Sequence, residues 1–83
     1  MRLQSFPNPF NDANTIAFTL DQPAHVNLAV NDITGKQVAL LVNANLQAGV
    51  HRKTFTPKQL APGVYMVRLV YNDKVTTQKL LKR

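Results

Sequence analysis

An all-β chain, folded as a small antiparallel sandwich of about seven strands, is what this sequence predicts. Three observations carry that reading. Apolar residues recur with a period of two, not 3.6. Turn-forming residues separate the alternating runs. And 83 residues without a single Cys must draw their stability from well-paired strands, because no disulfide or thiolate metal site can help.

The runs follow in order. Leu3–Phe6 is the first candidate strand. In Thr15–Leu20, Ile16, Phe18 and Leu20 share one face and Thr15, Ala17 and Thr19 the other. Asp21-Gln22-Pro23 ends that run. In His25–Asn31, Val26, Leu28 and Val30 alternate with Asn27, Ala29 and Asn31. Asp32-Ile33-Thr34-Gly35 suits a type I turn, with Asp first and Gly fourth, where positive φ makes the bulge of a short hairpin. Lys36–Val42 is less regular: Val38, Leu40, Leu41 and Val42 cluster, which fits a strand buried on both faces or one ending in a helical turn. Val50–Phe55 follows. Ala61-Pro62-Gly63-Val64 suits a type II turn, Pro presetting φ and Gly taking the left-handed value. In Val64–Tyr71, Tyr65, Val67 and Leu69 point one way; Val64, Met66 and Val70 lie around Arg68 on the other, as a docking patch or beneath a covering loop. Asn72-Asp73 fits a two-residue hairpin into Lys74–Leu81.

Pro7-Asn8-Pro9-Phe10-Asn11 is the sharpest local signal. Two prolines around one residue give an extended, then turning, backbone that lies along a sandwich edge and resists a further strand. Phe10 plugs one end of the core, and Asn8 and Asn11 bond nearby backbone groups. Pro7, Asn8, Pro9, Asp32 and Gly35 are read as structural turn residues.

Catalysis and metal binding find little to build on. The two histidines, His25 and His51, have no Cys or Glu to join them, and zinc needs three or four converging ligands. The carboxylates are Asp12, Asp21, Asp32 and Asp73, all in or beside turns, where Asp bonds backbone. Asn8, Asn11, Asp12 and Asn14 offer oxygens near the double proline, but calcium wants more than one carboxylate. No enzyme, cofactor or metal is expected. Lys53 shares a face with His51 and Phe55 and reads as a rim lysine if Phe55 faces the core. Of the two tyrosines, Tyr71 is read as exposed and Tyr65 as mostly buried.

Ten Lys and Arg against four acidic residues give a net charge of +6, which attracts acidic partners. The cations gather late, with Lys74, Lys79, Lys82 and Arg83 on or beside the last strand. Nucleic acid is disfavoured, since no stacking aromatics interleave with them. So is a membrane surface, since the segment alternates as a strand. No run is long and apolar enough to span a bilayer, and the N-terminus carries no signal peptide, so any leader lies upstream.

In fixed order the chain carries Phe6-Pro7-Asn8-Pro9-Phe10-Asn11, Asn14-Thr15-Ile16-Ala17-Phe18, Val30-Asn31-Asp32-Ile33-Thr34-Gly35-Lys36-Gln37-Val38, Leu46-Gln47-Ala48-Gly49 and Pro62-Gly63-Val64-Tyr65-Met66-Val67-Arg68-Leu69, then a basic last strand. On these phrases it resembles the C-terminal sorting domain of the type IX secretion system (the Por secretion system family), in its type A, immunoglobulin-like form. The resemblance implies an immunoglobulin-like β-sandwich over residues 1–83, residues 1–4 being the end of a linker from an upstream cargo. It implies a non-catalytic signal in Bacteroidetes-type bacteria, with the periplasm crossed in transit to the cell surface or medium. Partners implied are the outer-membrane secretion machinery, the linked cargo and a sortase-like protease that removes the domain and attaches the cargo. Gly63, Tyr65, Lys74, Lys79, Lys82 and Arg83 are the recognition candidates. Lys53 and Asn31 depart from the family's usual apolar and aromatic residues. The rival reading is a carbohydrate-binding or adhesive accessory module of a secreted glycoside hydrolase.

Overall fold

Where the sequence alternates, the chain pairs. The computed structural model describes residues 2–83; Met1 lies outside them. Its strands are β1 (Arg2–Phe6), β2 (Asn14–Leu20), β3 (Ala24–Asp32), β4 (Gln37–Leu46), β5 (Gly49–Phe55), β6 (Gly63–Tyr71) and β7 (Lys74–Lys82). The first begins at Arg2, within the stretch expected to be linker, and Arg2 to Gln4 already pair with Thr19 to Ala17.

Two antiparallel sheets result, one ordered β1-β2-β5 and the other β4-β3-β6-β7. A seven-strand immunoglobulin constant arrangement puts its fourth strand in the sheet of strands one, two and five; here β4 pairs with β3 instead. The inward residues of both sheets form one core. Ile16, Phe18 and Leu20 from β2 meet Val26, Leu28 and Val30 from β3, with Val67 and Leu69 from β6 and Leu80 from β7. These are the faces that the period of two assigns inward.

β4 fits neither sequence-derived alternative. It runs as strand through Leu46, and Val38 and Leu40 stay exposed at 40% and 47%. Its register against β3 slips twice. Leu28 pairs with Val42 and Ala29 with Leu40, leaving Leu41 extra; Val30 pairs with Ala39 and Asn31 with Gln37, leaving Val38 extra. Each bulge reverses the parity, so Leu41 packs against the core beside its neighbour Val42 while Val38 and Leu40 stay outside.

The turns behave largely as their residues dictate. Gly35 donates to the Asp32 carbonyl at 3.0 Å with φ of 91°, a value open to Gly without strain. Asn72 and Asp73 take φ of 47° and 62°, the left-handed pair of a two-residue hairpin. Gly63 also has positive φ, but at 154°; it opens β6 as an extended residue instead of sitting at the +80° position of a type II turn.

Asp32 organises its hairpin through one carboxylate oxygen. Oδ1 accepts from the Thr34 hydroxyl at 2.6 Å, the Thr34 amide at 2.9 Å and the Lys36 amide at 3.0 Å. The Thr34 hydroxyl foremost, then the two amides and the Lys36 charge, hold its pKa below the ordinary carboxylate value, outweighing the opposing effect of burial. A depressed folded pKa contributes stability above the unfolded value of about 3.9, lost as pH falls through the folded one. The melting temperature of wild type is therefore expected to exceed that of Asp32→Ala near neutrality. The gap should close in acid, as thermal melts from pH 7 downward would record.

Candidate functional site

The last strand and the double-proline segment form one unit. Asn8 reaches across the chain: its Nδ2 donates to the Lys79 carbonyl at 3.1 Å and its Oδ1 accepts from the Leu81 amide at 2.9 Å. Phe10 N donates to the Leu81 carbonyl, and Arg83 N donates to the Phe10 carbonyl, each at 2.9 Å. Phe10 and Lys82 form a parallel bridge. Prolines on both sides of Asn8 supply no competing donors; the peptide bonds before Pro7 and Pro9 are both cis. The segment thus lies on a sandwich edge as its residues predict. Asn8, however, bonds the distant last strand and not nearby backbone.

Two further residues hold this clip. Phe10 is 1% exposed and packs against Phe55 with ring centroids 6.0 Å apart, the expected plug at one end of the core. Asn14 is also 1% exposed, and its Nδ2 donates to the Pro7 carbonyl. Nothing in the sequence pattern singles out Asn14 for that work.

The recognition candidates disperse over the fold. Tyr65 is buried, and its hydroxyl donates to the Ala61 carbonyl at 2.6 Å. A Tyr early in the sixth strand that bonds backbone a few residues upstream is the tyrosine corner of sandwich folds, so this side chain fastens a crossover between sheets. Gly63 starts the same strand opposite Lys82. Lys82 is half-buried, its ammonium 5.7 Å from the Phe10 ring centroid and bonded to the Arg83 carbonyl. Lys74 lies at the opposite end of β7, about 27 Å away at strand rise, with its ammonium 5.9 Å from the Tyr71 ring. Lys79 alone among the β7 candidates extends from the outer face of the four-stranded sheet. Replacing Tyr65 by Phe should cost about 1–2 kcal/mol, the loss of one buried hydrogen bond. Denaturant melts measure it.

Tyr71 is not the exposed ring expected. It is 7% exposed, because β6 keeps its alternation to the last residue and Tyr71 shares the inward parity of Tyr65, Val67 and Leu69. Among the described residues, Phe6 is the exposed large aromatic. Among the described residues no loop covers the outer face of β6: Val64 is 37% exposed, and Val75 on neighbouring β7 is 53% exposed.

The histidines sit apart. His51 stacks on Phe18 at 5.4 Å between ring centroids and donates from Nε2 to the Gln47 carbonyl at 2.7 Å. His25 lies between two amides, Nδ1 3.0 Å from Asn45 Oδ1 and Nε2 2.8 Å from Asn43 Oδ1. Lys53 is exposed while Phe55 is buried, which is the rim-lysine register. Among the described residues no three His, Cys, Asp or Glu side chains converge, and no helix is long and apolar enough to cross a membrane.

Comparison with known proteins completes the picture. No curated protein matches the chain at a significant level. The family model described as the secretion system C-terminal sorting domain matches residues 4–83, and so takes in the clip, the corner tyrosine and the basic last strand together. The chain therefore belongs to the C-terminal sorting domains of the type IX secretion system, a family of non-catalytic export signals.

Proposed function

We propose that this domain, as a folded sandwich, directs a larger upstream cargo across the periplasm and through the outer-membrane machinery to the cell surface or medium. A sortase-like protease then separates it from the cargo, which is anchored at the surface or released to the medium. The match over residues 4–83 to the sorting-domain family is the observation that carries this reading. The chain itself supplies no catalytic step.

The clip constrains how such a signal is read. Strand addition needs an edge with free amides and carbonyls. On β7, the outward backbone groups of Leu81 and the Lys79 carbonyl are already taken by Asn8 and Phe10, and just past it the Arg83 amide is taken by Phe10. By alternation, the outward groups of Val75 and Thr77 and the amide of Lys79 stay open. The side-chain surface of the folded domain is therefore the better signal, with Lys79 its member from the last strand.

The test is a fusion of residues 1–83 to the C-terminus of a periplasmic reporter, expressed in a bacterium with an active type IX system. The reporter is expected at the surface or in the medium only when the domain is attached, and shortened by the domain's mass once released. A reporter that stays in the periplasm with the folded domain attached would refute the reading.

A further inference from the structure

On the outer face of the four-stranded sheet the apolar side chains gather on β6 and β7, while Asn27, Asn31, Gln37 and Asn43 make the β3–β4 side polar. Register places four side chains in a row across the face: Leu40, Ala29, Arg68 and Thr77 on β4, β3, β6 and β7. On one side of that row Val70 stands opposite Val75; on the other Met66 stands opposite Lys79, and beyond them Val64 opposite Leu81. Leu40, Val64 and Val75 are exposed, and Met66, Val70 and Leu81 half-exposed. Ala29 forms a low floor between Leu40 and Arg68. The charged side chains among these positions are Arg68 and Lys79, both exposed. The chain's carboxylates are elsewhere, Asp12, Asp21 and Asp73 in turns and Asp32 at the inward-parity end of β3.

We propose that this face, centred on Met66, Arg68, Val70, Val75 and Lys79, is where the domain docks on the export machinery, and that its occupant is a protein surface with an apolar centre flanked by carboxylates. The inference rests on the sorting reading above and names the surface that performs it. Charge complementarity selects the occupant: two cations with no anion beside them, set among uncovered valines and a methionine, match acidic groups around an apolar patch. A second copy of this chain fits poorly, because a twofold contact would oppose Arg68 and Lys79 to their own kind. An anionic lipid surface fits poorly too. Membrane faces use interfacial Trp and Tyr and clustered cations; this face carries neither Trp nor Tyr, and its two cations are Arg68 and Lys79.

The reporter fusion tests the face through matched variants. Arg68→Glu/Lys79→Glu reverses its charge. Val64→Thr/Val75→Thr removes apolar surface while keeping strand propensity. Arg52→Glu/Lys53→Glu, on exposed positions of β5 in the other sheet, changes the net charge as much as the first pair. Both face variants are expected to lower surface reporter by at least about tenfold, while the β5 variant exports like wild type. Melting curves establish that each is folded; Arg68→Gln/Lys79→Gln replaces the charge reversal if that one is not. Folded face variants that export normally overturn the proposal while leaving the sorting reading intact. A wild-type fusion that is not exported overturns both. Self-association by sedimentation, abolished by the face variants, would assign the surface to a second copy. Cosedimentation with lipopolysaccharide vesicles, lost on charge reversal, would assign it to the membrane. Either result also overturns the proposal.

Discussion

Deleting residues 79–83 is expected to unfold the domain, not merely to erase a label. Leu80 is fully buried, and loss of such a side chain alone costs about 2–5 kcal/mol. The deletion also strips the double-proline clip of its three hydrogen bonds to β7 and the fourth to Arg83 just beyond it, at about 1 kcal/mol each. The total rivals the whole stability of a domain this size, on the order of 4–12 kcal/mol. It would also leave Gly63 to Met66 of β6 without their partners on β7, an apolar edge prone to pairing with other chains. Circular dichroism of the truncated chain should show no cooperative melt. Loss of export on truncation would then report unfolding, and only charge substitutions that keep Leu80 and the clip can address recognition. Lys79→Gln is such a substitution: its side chain is exposed, while the hydrogen bond to Asn8 uses its backbone.

That distinction shows what the sequence reveals and where it stops. Strand identity is local: a period of two, interrupted by Asp21-Gln22-Pro23, Asp32-Ile33-Thr34-Gly35 and Asn72-Asp73, places every strand but β4 to within one residue at each end, while β4 runs on from Val42 to Leu46 and Tyr71 proves to face inward. Edge placement of Pro7-Asn8-Pro9 is also local, because prolines cannot join a ladder on both sides. Which edge it occupies is not local. Asn8 finds its partners 71 and 73 residues away, and no spacing encodes that choice. Sheet order has the same character: β4 joins β3 by a hairpin that composition predicts, but its two bulges appear in sequence only as a cluster of apolar residues. The candidate site suffers most. Tyr65 and Gly63 are prominent in the family phrase, yet Tyr65 serves the corner hydrogen bond. The exposed face around Arg68 emerges only when β7 and β4 are laid beside β6 and β3.

Phe10→Ala should be the most damaging single substitution outside the strands. Its side chain is 1% exposed and packs against Phe55. Truncating a buried Phe costs about 3–5 kcal/mol, from lost burial and from the cavity left behind. The same ring lies under the Lys82 ammonium, and its backbone joins Leu81 to Arg83. Loosening the side chain therefore weakens the contact that closes the end of β7. Phe6→Ala supplies the comparison: four residues away and 46% exposed, it should cost under about 1 kcal/mol, as surface substitutions usually do. Chemical denaturation of the two variants measures the contrast. If the edge clip rather than the ring's burial dominates, Phe10→Leu, which refills most of the cavity, will remain as unstable as Phe10→Ala. If burial dominates, as the packing against Phe55 argues, Phe10→Leu will recover most of the loss. Recovery of export in the same order would then tie the signal's activity to a folded sandwich, because Leu restores volume at the core end without restoring an aromatic ring.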